Sequence, residues 1–577
     1  MSSIRDTIQV VSFTNTEKMI LAQKRLGITN GIRREELLAV ALLALTFALR
    51  FALIFHMKVN SDEPQHLHVV WAWVQGLLPY RDVFDNHSPL YSFLWSPIFR
   101  WIGERPDIIV WMRLSELPCY CLALWAIYRI GATIFDRRAA LWGTILAGLF
   151  PLYFCCSLEF RPDGLWAACW FLALAVLVEG RLNFLRSFFV GFLLGVTMAI
   201  SMKTVLMLIA LGIAGLVVIV AASRNGWKVP VSRLCANALA GLIGFGILPA
   251  AVIGFFASQG ALERLYYGTI GFNFLARSHD TVPLVVRIIF FAIGMASSIC
   301  LAFIILRRSR MIEMGCRRVL ILMATSAYWL MLVCFWPLLQ REHYLPFYPL
   351  LMVLLAGAIF TVPRGQSTWL VPRFFIPAGL VALELAFMMV TTPPWRNRAK
   401  DETKFMSQVL AMTDRTDTIM DEKGETIYRT RPFYYGLEKV ARNAIKRGVL
   451  ADDVSQHMIA SNTCVAVSDK NSGYSEQTRA FIEKNYLKVS RLRVAGALLH
   501  FTTPKLVPFD IVIPARYAVI IPHGAARGQL DGEPYRGPLF LPPGHHEYLP
   551  AEGESLTAVM WAQAVERNFL PLEFKNL

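Results

Sequence analysis

The sequence predicts a polytopic α-helical membrane protein that carries a soluble C-terminal domain. Of its 577 residues, 55% are hydrophobic and 17% charged, against about 25% charged in an average soluble domain. Mean hydropathy is +0.46. Several uninterrupted apolar runs exceed the roughly 18 residues that cross a bilayer. After Pro393-Pro394 the apolar runs stop and the composition becomes that of a soluble chain.

Eleven spans are expected, near 37–57, 107–128, 139–157, 164–180, 187–201, 204–222, 235–257, 284–306, 319–337, 345–361 and 374–391. The chain divides into a cytoplasmic segment at 1–36, a transmembrane domain at 37–391, an extracytoplasmic α/β subdomain at 392–505 and an extracytoplasmic β-rich subdomain at 506–577. Residues 1–36 are polar, and the run that follows reads as a signal anchor rather than a cleavable signal.

The net charge of +16 is a topology signal and not a nucleic-acid surface. Arg129/Arg137/Arg138, Arg181/Arg186, Arg224/Lys228/Arg233, Arg307/Arg308/Arg310/Arg317/Arg318 and Arg364/Arg373 occupy alternate loops. The loops between them carry only Arg161, Lys203, Arg264/Arg277 and Arg341. An excess of Lys and Arg marks the cytoplasmic side. The N-terminus is therefore expected in the cytoplasm and, with an odd number of spans, the C-terminal region outside. Nine of the ten cysteines lie in or beside apolar runs, Cys155-Cys156 among them, which fits membrane packing. Cys464 stands alone in the polar region, so no disulfide is expected there.

The first outer loop, about 58–106, is not simply polar. Leu67, Val70, Trp71 and Val74 recur at helical spacing and predict an interfacial amphipathic helix over 64–78, with Trp71 and Trp73 at headgroup level. A turn at Gly76–Pro79 leads into a second interfacial helix. In the soluble region, 403–412 and 476–486 read as helices. TCVAV (463–467), DIVIPARYAVII and LTAVMWAQAV read as extended runs.

Ionisable residues concentrate in the outer loops. Asp62 and Glu63 sit where the first span ends, a place where carboxylates are costly and available for chemistry. One role is helix capping, with Asp62 as N-cap; a compatible one is general-base catalysis on an acceptor hydroxyl. Arg81, Asp82, Asp85 and His87 form a second cluster, either a polar turn or a charged wall facing Asp62. Glu159, Arg161 and Asp163 form a third. It is a self-neutralised loop, or a phosphate-binding arginine with an acidic partner. Lys203 lies in a very short connection at membrane depth. Lys203, Arg50 and Arg113 either snorkel or hold an anionic headgroup. Among the histidines, His279 and His343 are best placed to join an acidic pocket. Asp62, His66 and His279 could share a divalent metal, although no spacing demonstrates a site.

A D-E pair after the first span, then G-x-x-P-Y-R-D-x-F-x-x-H-x-P-L from Gly76 to Leu90, resembles the GT-C glycosyltransferases. So does the R-P-D of Arg161–Asp163. Bacterial relatives of the protein O-mannosyltransferases (glycosyltransferase family 39) and the aminoarabinose transferases are similar, also in H-Y-L-P-x-Y-P at 343–349. The resemblance covers about 37–391. It implies a GT-C membrane fold with eleven to thirteen spans, an extracytoplasmic active site and a polyprenyl-phosphate-linked sugar donor. It implies that Asp62 is the catalytic aspartate, Glu63 its partner and Asp163 a second acidic position. His87 stands where the aminoarabinose transferases have a lysine. The tail segments Leu530-Asp-Gly and Pro543-Gly-His-His resemble C-terminal modules of bacterial members.

The expected function is therefore a glycosyltransferase of a bacterial inner membrane, transferring a hexosyl or pentosyl group to a glycan, lipid or protein hydroxyl. Asp62 acting as base with in-line attack would invert the anomeric centre. Arg161, Lys203 and Arg341 are the candidates for the donor phosphate. Arg81, Asp85, His87, His343 and Tyr344 complete the expected binding residues. A lipid or lipid-linked-sugar transporter would place ionisable residues in mid-span and break its helices, which this chain does not favour. A non-catalytic envelope glycan assembly protein is the third class.

Overall fold

A computed structural model describes residues 15–224, 230–275, 282–306, 312–336, 339–361, 374–468, 473–503, 505–523 and 526–576. The membrane part runs α1 (Asn15–His56), α2 (Asp62–Val74), α3 (Leu90–Ile102), α4 (Ile108–Ser115), α5 (Leu117–Ile134), α6 (Arg137–Leu149), α7 (Pro151–Cys156) and α8 (Pro162–Val178). It continues with α9 (Phe184–Ile200), α10 (Thr204–Arg224), α11 (Val231–Ser258), α12 (Leu262–Tyr266), α13 (Phe272–Phe274), α14 (Leu284–Leu306), α15 (Ile312–Phe335), α16 (Tyr348–Thr361) and α17 (Phe375–Thr391).

Every expected apolar run meets a helix or a pair of helices. Among the described residues, six segments are long and apolar enough to cross a membrane: Arg34–His56, Ile108–Ile134, α10, α11, α14 and Glu313–Phe335. Helices α8, α9, α16 and α17 are apolar but shorter. The run at 139–157 is broken into α6 and α7 because Pro151, at the start of α7, supplies no N–H to continue the α6 ladder. Helices α9 and α11 touch through glycines. A Cβ on Gly191 would lie 1.9 Å from the Gly241 carbonyl oxygen and one on Gly244 2.1 Å from that of Phe188, the small-residue contact by which apolar helices approach closely.

The C-terminal domain contains α18 (Lys400–Met412), β1 (Ile419–Met420), α19 (Lys439–Lys446), α20 (Val454–Ala460), β2 (Val465–Val467), α21 (Glu476–Asn485), β3 (Tyr486–Val489), β4 (Leu492–His500), β5 (Val507–Ile511) and β6 (Ala515–Ile520). It closes with β7 (Gln529–Leu530), β8 (Glu533–Pro534), β9 (Leu539–Leu541), β10 (Gly544–Leu549), β11 (Leu556–Trp561) and α22 (Ala562–Glu566). One seven-stranded sheet has the order β1-β2-β4-β11-β6-β9, with β3 on β4; a four-stranded sheet has the order β5-β10-β7-β8. β1 and β2 are parallel. β11 pairs with β4 on one side, Val559 opposite Ala497, and with β6 on the other, Val559 opposite Val519. The expected division at 505/506 therefore does not separate two bodies. The last strand returns to the middle of the first sheet, a long-range pairing that local periodicity does not encode. All ten cysteines are free.

The interfacial helix expected at 64–78 is instead the buried helix α2. Residues Glu63 to Ala72 are buried on every side, because the C-terminal domain lies over them. The Ile427 carbonyl bonds His68 Nδ1 at 2.9 Å, and His68 stacks on Trp71. Trp71 thus sits in protein rather than at a headgroup. Tyr428 hydroxyl bonds both the N–H and the carbonyl of Arg105. Arg398 N–H donates to the His56 carbonyl at 2.8 Å. Helix α3 keeps the outward apolar face of an interfacial helix, with Phe93, Leu94 and Trp101 exposed.

Candidate active site

The connections before α2, between α7 and α8, between α9 and α10, and between α15 and α16 meet at one end of the helices. There they enclose a cavity of about 610 Å³ that the C-terminal domain closes. Asp62, His87, Arg161, Asp163, Lys203 and His343 all line it, together with Glu342, Lys423, Glu425 and Glu438.

The start of α2 sorts two adjacent carboxylates into different environments. Asn60 Oδ1 accepts the Asp62 N–H, and Glu63 Oε1 accepts the Asn60 N–H. Capping falls to Asn60 and Glu63, so Asp62 is not the N-cap and its side chain is free to turn into the cavity. Asp62 remains 31% exposed at the side chain. Its Oδ1 receives Lys423 Nζ, and its Oδ2 lies 3.1 Å from Arg161 Nη1. Burial pushes this carboxyl up, but Arg161 and Lys423 outweigh it and hold it well below the usual carboxylate range.

Glu63 points the other way. It is fully buried and takes Arg113 in a two-pronged pair, Nε to Oε2 at 2.7 Å and Nη2 to Oε1 at 2.6 Å. The Phe160 N–H donates to the same Oε2. Arg113 also donates to the Met57 and Lys58 carbonyls. The pair ties the end of α1, the start of α2, α4 and the loop before α8 into one block. Arg50 is likewise buried, donating to the Phe154 carbonyl and to Ser157 with its guanidinium 3.7 Å from the Tyr120 ring. Neither arginine is available to a lipid headgroup.

Arg161, at the start of α8, is the hub of the site. Its guanidinium has four carboxylates within 4 Å: Asp62 at 3.1 Å, Glu159 at 3.5 Å, Asp163 at 3.4 Å and Glu342 at 2.9 Å. Lys203 Nζ bonds Asp163 Oδ1 at 2.6 Å. Arg341 bonds Glu159 at 2.6 Å and lines a second cavity, of about 530 Å³, which shares Ser61 and Glu425 with the first. Four acids (Asp62, Glu159, Asp163, Glu342) thus face four cations (Arg161, Lys203, Arg341, Lys423). Burial, reinforced by Glu63, pushes the Glu159 carboxyl up to about 7 against the pull of Arg161 and Arg341. Burial and the neighbouring Asp421 push Glu425 up to about 8. Asp62, beside Arg161 and Lys423, and Asp163, beside Lys203 and Arg161, are the acids in this group held below the usual carboxylate range.

His87 takes its orientation from Asp85, whose Oδ1 accepts the His87 N–H and faces Nδ1, both at 3.0 Å. Burial lowers the His87 imidazole, yet Asp85 overrides it and the net shift is upward. His66 stands edge-on to His87 at 4.5 Å. Arg81 does not reach the cavity; it is a surface residue paired with Asp82. Tyr344 packs among Trp329 and Tyr348 and does not line the cavity. His279 lies outside the described residues. Among the described residues, no group of three His, Cys, Asp or Glu is placed to hold a metal.

Sequence reasoning missed Glu342, in the connection before α16, and the residues that come from the C-terminal domain. Lys423 reaches Asp62 and, at 3.0 Å, the Ser61 hydroxyl. Glu438 Oε1 accepts the Asn86 amide at 2.7 Å. Lys423 is carried on a tight turn in which Asp421 accepts the Gly424 and Thr426 N–H groups. That Asp-x-x-Gly turn is the one local signal that marked the segment.

A family model for dolichyl-phosphate-mannose-protein mannosyltransferases matches residues 86–247. No curated protein matches the sequence. Among solved structures, ArnT from Cupriavidus metallidurans bound to undecaprenyl phosphate is similar at a TM-score of 0.52 and 11% identity, covering 79% of this chain and 97% of ArnT. Its apo state is similar at 0.52 and 13% identity, with the same coverage. AglB, the Archaeoglobus fulgidus oligosaccharyltransferase, is 13% identical at a TM-score of 0.43 over 81% of this chain and 73% of AglB, too low to carry weight. The chain has the multi-pass membrane fold of the GT-C glycosyltransferases, resembles ArnT and carries a β-rich C-terminal region.

Proposed function

We propose that this protein transfers a sugar from a polyprenyl-phosphate donor to an acceptor hydroxyl at the extracytoplasmic face of a bacterial inner membrane. The observation that carries this reading is the cavity that sets the ionised, half-exposed Asp62 beside Arg161, Lys203 and Lys423 at the ends of apolar helices. A lipid-linked donor is confined to the bilayer, so a site that serves it must sit where the helices end. Ile200, Met202, Trp336 and Leu339 line the same cavity and offer apolar contact to an isoprenoid chain. The ArnT structure holds undecaprenyl phosphate, which favours the same donor class here.

In the proposed step the acceptor oxygen attacks the anomeric carbon opposite the phosphate. The bond from that carbon to the phosphate oxygen breaks, and polyprenyl phosphate leaves with the electron pair. The acceptor proton passes to Asp62, and in-line attack inverts the centre. Lys203 and Lys423 stabilise the negative charge that grows on the leaving phosphate. A carboxylate as acidic as Asp62 is a poor base while both its cations are engaged. A phosphate entering the cavity competes for Lys423 and Arg161, and the proton affinity of Asp62 rises as it does. Arg341 lies one cavity away, on Glu159, so the phosphate role falls to Lys203, Lys423 and Arg161. Glu63 serves by positioning α2.

The test is Asp62→Asn in detergent-purified enzyme supplied with a panel of undecaprenyl-phosphate sugars. Transfer should fall by at least about 10³-fold, the scale of losing a general base and its charge, while the protein still inserts and purifies. Wild-type turnover in the variant would overturn the assignment.

A further inference from the structure

A third cavity, of about 490 Å³, opens in the C-terminal domain between α19 and the start of α21. Leu437, Lys439 and Arg442 line both this cavity and the one that holds Asp62. The two spaces therefore adjoin along α19. Lys439, Arg442 and Lys446 follow one another at helical spacings of three and four, which puts their side chains on one face. The opposite face, Val440, Ala441 and Ala444, is buried, with Val440 and Ala441 packed in one cluster with Phe84 and Phe272 of the membrane part. The amphipathic pattern of α19 thus turns a basic stripe into a cavity instead of spreading it over the surface. Arg479 of α21 adds a fourth cation.

Two further features favour anions there. Ser475, at the N-cap of α21, uses its side chain to accept the Thr478 N–H, and the positive end of that ten-residue helix adjoins the cavity. Among the described lining residues, Asp452 and Glu476 are the acids against four cations. Gly473 lets Arg442 lie flat on the backbone: a Cβ there would meet Arg442 Nη1 at 2.4 Å.

We infer that α19 forms a guide for an anionic acceptor glycan, bearing carboxylate or phosphate groups, which enters over the soluble domain and reaches the sugar donor at Asp62. This rests on the glycosyltransferase reading and names its acceptor class. Lys446 and Arg479 line this cavity and not the one that holds Asp62, so the charge they recognise is assigned to the other substrate.

The experiment measures equilibrium binding of two probes, a short oligogalacturonate and inorganic pyrophosphate, to the full-length protein in nanodiscs without donor. Lys446→Gln/Arg479→Gln changes residues that line this cavity alone. Wild-type protein should bind at least one probe with an affinity that falls as salt rises. The double variant should bind about thirtyfold more weakly, two lost ion pairs at the upper end of their exposed range, while still melting cooperatively as a folded protein. Lys446→Arg/Arg479→Lys should restore binding. Binding of oligogalacturonate alone assigns a carboxylate-bearing glycan, and of pyrophosphate alone a phosphate-bearing one. Binding of neither probe, or equal binding by wild type and variant, overturns the guide. Failure of donor turnover with salt-sensitive binding intact would instead overturn the enzyme reading and leave the anion site standing.

Discussion

Lys423 of the C-terminal domain donates to Asp62 across 361 residues of sequence, so that domain supplies a charge to the centre of the cavity at the helix ends. Together with Arg161 it keeps Asp62 ionised. Lys423→Met removes one of two nearby positive charges, and the Asp62 carboxyl should rise by about 1–3 pK units. The proposed step needs the ionised form, so the acidic limb of the kcat/KM profile should move to higher pH by the same amount. Lys423→Arg should move it back. A profile that stays in place in Lys423→Met would show that the contact does not govern Asp62.

Glu63 and Arg113 are both fully buried. Removing one member of a buried pair leaves the other charge unsatisfied, at a cost of about 3–5 kcal/mol. Arg113→Met should lower thermal stability by that amount, and Glu63→Met/Arg113→Met should recover part of it. Glu63→Gln should be less active and also less stable. A Glu63→Gln protein that melts like wild type yet lacks transfer would make Glu63 a catalytic residue instead of a positioning one.

How far the sequence reached depends on the range of each interaction. The apolar runs were legible because a bilayer imposes a length on every span, and each run meets a helix. Asp62, Arg161, Asp163 and Lys203 were legible as charges placed where charges are expensive, and the fold brings them into one cavity. Trp71 was misplaced because α2 shows the same apolar stripe whether lipid or a protein domain covers it. Arg81 and Tyr344 belong to the motifs without sharing the cavity of His87 and His343, since adjacency along a loop does not fix direction. Lys423 and Glu438 were invisible, because nothing within the local turn records that it docks on α2. The same holds for β11, whose place between β4 and β6 is set by a return of the chain.

His87 offers a pH test. Asp85 raises its imidazole above the ordinary value despite burial, and Glu438 adds to the effect while Lys203 opposes it. The protonated form is therefore favoured in the folded protein. Its contribution to stability is fully present below the unfolded pKa, about 6.5, and is lost as pH rises through the higher folded value. The positive charge at the cavity wall disappears over the same window, so the donor KM should climb on the alkaline side. Asp85→Asn removes the raising partner and should shift this climb to lower pH. A donor KM independent of pH between about 6 and 9 would separate His87 from donor binding.

Gly424 tests how the turn that carries Lys423 docks on α2. Its φ is +94°, a backbone state that costs an L-residue energy, and a Cβ would stand 2.7 Å from the Cβ of His68. Both penalties act at the seam between the domains. Gly424→Ala should therefore destabilise the docked turn by about 1 kcal/mol from the backbone alone, with the clash adding to it. Hydrogen exchange at Gly424 and Thr426, whose N–H groups are held by Asp421, should quicken, while exchange in β4 and β11 stays as in wild type. The acidic limb of the kcat/KM profile should move in the direction of Lys423→Met, because the lysine is no longer held on Asp62. Unchanged exchange and an unchanged profile would mean that the Lys423 contact survives without the close approach of Gly424 to His68.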